Sequence, residues 1–228
     1  MSIMNSRERV LAAFAHTEPD RVPRWCGTSP EFLTKAKQQL NLPDDESFFV
    51  RIGDDFRRVF TRYVGPEFPL APGVVYRTVF GIDRAGYGYD RFIMPHLKRL
   101  IDLGHQYRLQ VQLHCCGGYE PLIPSMIAAG LNGLHALQPC CGGMDLAKLK
   151  ANYGSKILLN GAIDSHHVLI SGTPESVRES TRQVLAIMTP GGGYVAGASH
   201  DYILEETPVK NVVAMFDAVT EFGIYHKA

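Results

Sequence analysis

The sequence predicts an α/β fold, a partial (β/α)8 barrel of parallel strands whose C-terminal half is intact. Three observations lead there. From Arg91 onward, short apolar runs alternate with amphipathic helical stretches four times, the pattern of a parallel sheet with right-handed crossovers. No Gly-x-Gly-x-x-Gly opens any of these helices, which leaves a doubly wound dinucleotide fold without support. Polar, metal-competent residues follow each of the four strands, where a parallel barrel keeps its active site.

The elements follow in order. Ser6–Phe14 reads as a helix with Val10, Leu11 and Phe14 on one face and Ser6 as its cap, and Glu18-Pro19-Asp20-Arg21 breaks it. Val22–Cys26 reads as a short strand and Pro30–Leu40 as a second helix. Phe48–Ile52 and Val74–Phe80 read as strands around a proline-bearing loop, Tyr63–Gly73. Next come a helix over Ile93–Tyr107, the strand Leu109–His114, and a helix over Glu120–Ala129 stopped by Gly130. The strand Gly133–Leu137, the helix Met144–Asn152 and the strand Lys156–Gly161 continue the alternation. Thr173-Pro174-Glu175 starts a helix with a capping Thr and Pro in the first turn, its apolar face formed by Val177, Val184, Leu185 and Met188. Gly191-Gly192-Gly193 turns the chain into the strand Tyr194–Ala198; no Gly-Lys-Ser/Thr follows, so this is a turn and not a phosphate loop. Thr207-Pro208 begins the last helix, with Val209, Val212, Val213 and Phe216 along one side and Gly223 at its end. Two segments result: 1–90, with the first helix and first strand, and 91–228, the regular half-barrel.

Composition narrows the function. Lys plus Arg number 23 and Asp plus Glu number 23, giving zero formal charge, so nothing favours nucleic acid or an anionic membrane. The first ten residues lack the apolar core of a signal peptide, and no apolar run is long enough to span a bilayer; a cytoplasmic protein is expected. The cysteines are Cys26 and two adjacent pairs, Cys115-Cys116 and Cys140-Cys141. Neighbouring cysteines bridge poorly, and in a reducing compartment such residues bind metal, catalyse or pack as small apolar groups.

The strand-end rule selects the site residues. His114-Cys115-Cys116 follows the first regular strand, Cys140-Cys141 the second, Asp164 the third and Ser199-His200-Asp201 the fourth. Nitrogen and thiolate ligands suit zinc, and three protein ligands with one open position make a catalytic centre. Residues two apart on a strand point the same way, so His114 and Cys116 share the mouth, with Cys140 or Cys141 available as a third ligand. Asp164 is a strand-end carboxylate, functional or else a cap on the turn after it.

These residues also carry a resemblance. Asn5–Phe14 with Glu18–Pro23, and nearly everything from Phe92 on, is similar to members of the uroporphyrinogen decarboxylase superfamily. The most specific pieces are Pro95-His96-Leu97-Lys98, His114-Cys115-Cys116-Gly117, Gly161-Ala162-Ile163-Asp164, Gly172–Val177, Pro190–Tyr194, and Ser199-His200-Asp201 with Thr207-Pro208 and Asn211. The resemblance implies a barrel and one of two chemistries: decarboxylation of the acetate arms of a tetrapyrrole, or methyl transfer among corrinoid proteins, methylated donors and thiols, often with zinc. His114 and Cys116 match the His-x-Cys of the zinc methyltransferases; where those have a cysteine after the last strand, this chain has Ser199-His200-Asp201. Where the decarboxylases have an arginine-rich segment, it has Val22–Gly27 with Arg24 as the one cation.

The resemblance therefore implies a zinc-dependent methyltransferase working with a corrinoid protein or a methylated small molecule. His114, Cys116, Cys140 and Cys141 are its candidate ligands, Asp164 and His200 its catalytic groups, and Arg24, Tyr87 and Asp201 its substrate-binding groups. The alternatives are a tetrapyrrole decarboxylase, with Arg24 on a carboxylate and Asp164 facing the pyrrole nitrogens, and a non-catalytic binder of corrinoid or metal. Members of the superfamily are about half again as long, and Gly86–Asp90 runs directly into a stretch that in them follows several more strands. A barrel takes eight strands. An incomplete one leaves edges that a second copy can cover, so a homodimer is expected.

Overall fold

The computed structural model describes residues 4–59, 89 and 93–225. The expected strand Val74–Phe80, the loop Tyr63–Gly73 and the candidate Tyr87 lie outside the described residues.

Helix α1 (Ser6–Phe14) is capped by Asn5, not Ser6. The Asn5 side chain accepts from Glu8 N at 2.9 Å while Glu8 Oε2 accepts from Asn5 N at 3.0 Å, a complete capping box. Its buried positions are Arg9 and Ala13, and Leu11 is exposed, because the helix docks through the ion pairs of Arg9 and through Ala13 on the sheet. Strand β1 (Arg24–Trp25) is shorter than the expected Val22–Cys26, and helix α2 (Pro30–Leu40) matches its expected bounds; Ser29 caps α2 and Pro30 opens it.

Phe48–Ile52, expected as a strand, is the end of helix α3 (Asp45–Ile52). Asp44 caps it by accepting from Ser47 N at 2.8 Å, and Gly53 ends it at φ 67°, where a side chain would be strained. Only Phe48 and Ile52 are buried. Their four-residue spacing is helical, and the run Phe48-Phe49-Val50 concealed it.

Helix α4 (Met94–Gln106) leads to β2, which spans Gln112–His114 and so is shorter than the expected Leu109–His114. A 3-10 turn (Glu120–Leu122) and α5 (Ile123–Ala128) precede β3 (Gly133–Leu137). Helix α6 (Leu146–Tyr153) is capped by Asp145, and β4 (Leu158–Ile163) lies two residues later than the expected Lys156–Gly161. A π-helical turn (Ser165–Ile170), α7 (Pro174–Met188), β5 (Tyr194–Ala198) and α8 (Val209–Phe222) complete the chain.

All five strands are parallel, in the order β1-β5-β4-β3-β2. The first strand in sequence lies beside the last, as when a barrel wraps round on itself; a doubly wound sheet instead starts in its middle. The described strands form a five-stranded arc of such a barrel. One face packs against the helices through residues such as Leu159, Tyr194, Leu185, Val212 and Phe216. On the other face, Leu158 and Val195 meet Ala13 of α1, with Phe14, Trp25 and Phe56 against them. No helix among the described residues is long and apolar enough to cross a membrane.

An ion cluster ties α1 to β1. The Asp55 carboxylate, fully buried, accepts from Arg9 Nη1 at 2.6 Å, Arg21 Nη1 at 2.7 Å and Arg24 N at 3.0 Å, and Arg9 Nε reaches Asp20 at 2.6 Å. Arg24, expected to hold a substrate carboxylate, is buried beside this cluster and donates from Nη1 to Ile52 O at 3.0 Å. Burial lowers its pKa to about 10. As the first residue of a strand whose next side chain is Trp25, it is directed away from the strand-end residues described below.

Candidate functional site

Parallel pairing builds the site. β2 and β3 align so that His114 sits directly opposite His135. Side chains alternate across a sheet, so paired residues of neighbouring strands emerge on the same face. The two rings stand 5.0 Å apart between centroids, with Nδ1 3.1 Å from Nδ1. The loop after β5 brings in Asp201, whose Oδ1 lies 3.9 Å from His135 Nδ1. One donor atom from each of His114, His135 and Asp201 falls within 4.8 Å of the others. On the opposite side of the His114 ring, Cys116 Sγ lies 3.2 Å from Nε2.

The surroundings are aromatic and cationic. Trp25 meets His135 edge-on at 5.8 Å, and the His200 ring lies 6.5 Å from His114. Arg58 pairs with Asp201 and stacks over Trp25 at 5.1 Å and Tyr202 at 4.7 Å. A cavity of about 700 Å³ adjoins Arg58, lined in part by Trp25, Phe49, Asp54, Phe56, Arg58 and Tyr202; His114, Cys116, His135, His200 and Asp201 do not line it.

Electrostatics keep the central groups neutral. Burial, then the adjoining His114, lowers the His135 pKa to about 4. Burial also lowers that of His114, against the pull of Asp201. Cys116 is raised, first by desolvation and then by the Asp201 charge. At neutral pH these are free imidazole lone pairs beside a protonated thiol. At most one proton fits between the two Nδ1 atoms, so they either share a hydrogen bond or face a cation together. His135 Nε2 is buried and has no hydrogen-bond partner among the described residues.

Of the residues singled out by sequence, the structure brings together His114, Cys116, His200 and Asp201. Cys140 is exposed, and Cys141 Sγ donates to Gln138 Oε1 at 3.6 Å, near enough to Cys116 to help raise its pKa. Neither falls within the three-residue donor group. Asp164 caps the π-helical turn, its Oδ1 accepting from His166 N and His167 N at 2.8 Å each. That is the capping role its position after a strand also allowed. His135 and Arg58 were missed. The signal for His135 was its place in β3 at the same height as His114, which only the strand register exposes.

A sequence profile of the uroporphyrinogen decarboxylase (URO-D) family matches residues 86–222. The chain belongs to that family. The methylcobamide:CoM methyltransferase MtbA of Methanosarcina acetivorans is 28% identical over 115 residues, covering 49% of this chain and 32% of that protein. The uroporphyrinogen decarboxylase of Psychromonas ingrahamii is 32% identical over 84 residues, covering 36% of this chain and 23% of that one. A solved methyltransferase from Methanosarcina mazei superposes with a TM-score of 0.47 at 24% identity, over 59% of this chain and 36% of that one. The chain thus spans about a third or less of the length of these curated relatives.

Proposed function

We propose that this family member is a zinc-dependent methyltransferase that moves a methyl group from a corrinoid protein or a methylated small molecule to a small thiol. The observation that carries the reading is the group formed by His114, His135 and Asp201, a nitrogen- and oxygen-donor cluster at strand ends in a chain with methyltransferase relatives. Borderline nitrogen and carboxylate donors suit zinc. Zinc, when bound, lowers a thiol's pKa and favours the thiolate at neutral pH.

The chain's own residues do the rest. Cys116 holds the His114 ring at Nε2 and so leaves Nδ1 directed at His135. His200, at the edge of the cluster, takes the proton of the incoming thiol. The cavity beside Arg58 and Tyr202 admits the donor. The sulfur's electron pair forms the new carbon–sulfur bond while the bond from donor to methyl breaks, its electrons leaving with the donor. Arg24, turned away to Ile52 O, argues against the decarboxylase alternative. The same proposal includes a homodimer: among the described residues, β1 and β2 each have a neighbour on one side only.

The test is methyl transfer from methylcobalamin to a small thiol by zinc-loaded protein. The expected result is turnover that falls about 100-fold or more in His114→Ala. Zinc-loaded, folded protein without transfer would overturn the reading, and decarboxylation of uroporphyrinogen would be assayed next.

A further inference from the structure

We infer that the metal of this chain is held by His114 Nδ1, His135 Nδ1 and the Asp201 carboxylate, with Cys116 outside the ligand set. The inference rests on the zinc reading for the identity of the ion, and it replaces the thiolate ligands that the His-x-Cys pattern suggested with a nitrogen–oxygen set.

The geometry favours this set on three counts. Zinc–nitrogen bonds are about 2.0–2.1 Å long, so two nitrogens on one tetrahedral ion lie about 3.4 Å apart. The two Nδ1 atoms stand 3.1 Å apart, within a few tenths of that value. Second, one imidazole cannot offer both nitrogens to the same ion. His114 directs Nδ1 to His135 and Nε2 to Cys116, so an ion shared with His135 excludes the thiol on the far side of the ring. Third, His135 is buried and its Nδ1 faces both His114 Nδ1, at 3.1 Å, and Asp201 Oδ1, at 3.9 Å.

Cys116 then acquires a different role. An ion on Nδ1 forces the proton of His114 onto Nε2, which becomes a donor to the sulfur 3.2 Å away. The thiol fixes the tautomer and the ring plane, the part that a carbonyl or carboxylate plays behind many metal-bound histidines. Asp201 is the adjustable ligand. Its Oδ1 lies 3.9 Å from His135 Nδ1 because Arg58 holds both carboxylate oxygens, Nη2 donating to Oδ1 and Nη1 to Oδ2 at 3.3 Å. Closing on the ion takes a side-chain rotation away from that guanidinium.

The experiment is titration of metal-free protein with Zn(II) by calorimetry, together with the absorption spectrum of the Co(II)-loaded form. Wild type should bind one ion per chain. His135→Gln and the isosteric Asp201→Asn should each weaken binding about tenfold or more. Cys116→Ser should bind within about threefold of wild type, since a hydroxyl still hydrogen-bonds Nε2. Co(II)-loaded wild type should lack the intense near-ultraviolet thiolate-to-cobalt charge-transfer band. Circular dichroism of each variant separates lost folding from lost ligation; Asp201→Asn, at a partly exposed loop position, remains informative if His135→Gln does not fold. Undiminished affinity in Asp201→Asn, a thiolate band, loss of binding in Cys116→Ser, or no binding by wild type would overturn the ligand set. Zinc binding with the expected variant pattern but no methyl transfer would leave the ligand set standing and remove the proposed reaction.

Discussion

Two polar clusters adjoin Trp25, one buried at its neighbour Arg24 and one partly exposed at His135 against its ring, and they are built on opposite principles. The cluster at Asp55 is closed. Its carboxylate accepts from Arg9, Arg21 and the Arg24 backbone, and Arg9 is occupied further by Asp20. The cluster at His114 and His135 is open: two rings meet through their Nδ1 atoms, His135 Nε2 has no partner among the described residues, and Asp201 pairs with Arg58 at the edge. A carboxylate whose oxygens are filled by internal partners fastens a fold. Donor atoms that converge from three elements are what the proposed metal would use.

The largest expected effect comes from breaking the closed cluster. Asp55→Ala leaves Arg9 and Arg21 facing one another without their shared carboxylate, and removing one partner of a buried ion pair costs about 3–5 kcal/mol. Urea unfolding should show that loss. His135→Gln in metal-free protein should cost far less, because no ion pair and no completed hydrogen-bond network is removed. Equal losses would dissolve the distinction between the clusters.

Asp54 sharpens the comparison, since it adjoins Asp55 in sequence yet its carboxylate has no guanidinium bonded to it among the described residues, Arg57 donating instead to its backbone oxygen at 3.1 Å. It is buried, accepts from Phe56 N at 3.0 Å, and burial pushes its pKa to about 7. The folded-state value lies above that of an unfolded aspartate near 3.8. The folded state therefore binds more protons across that window, and stability falls as pH rises from about 4 through 7. Asp54→Asn, neutral at every pH, should be more stable than wild type at pH 8 by about 2–4 kcal/mol and nearly equal to it at pH 4. Denaturant unfolding at the two pH values checks this. A pH-independent difference would mean that the Asp54 carboxylate stays ionised.

How much of this was legible in the sequence depends on the range of the interactions involved. β3 and β5 match their expected bounds because each is a short apolar run between glycine-bearing turns, and α2 does because Ser29-Pro30 states its start. These signals are local. The run Phe48-Phe49-Val50 misled because β-favouring residues outweighed the cap at Asp44 and the stop at Gly53. His114, Cys116, His200 and Asp201, which the fold brings close together, were singled out by the strand-end rule alone. His135 was not, because a histidine in the middle of a buried strand is written like any core position. The Asp55 cluster depends on Arg9, Arg21 and Asp55 meeting across 46 and 34 residues of chain, which no periodicity records.

The smallest effect tests where the open cluster ends. Asp164 occupies a strand end, as the site residues do, but its Oδ1 is engaged by two backbone N–H groups of the following turn. If its work is capping, Asp164→Ala should cost about 1 kcal/mol and Asp164→Ser much less, because the hydroxyl can still accept from the turn. Zinc stoichiometry and affinity should not change in either variant, since Asp164 is no member of the donor group. Thermal unfolding with and without zinc measures both quantities on one sample. A lower midpoint with an unchanged zinc-induced rise assigns Asp164 to the fold; a lost zinc-induced rise would extend the site from β5 and its loop to the end of β4.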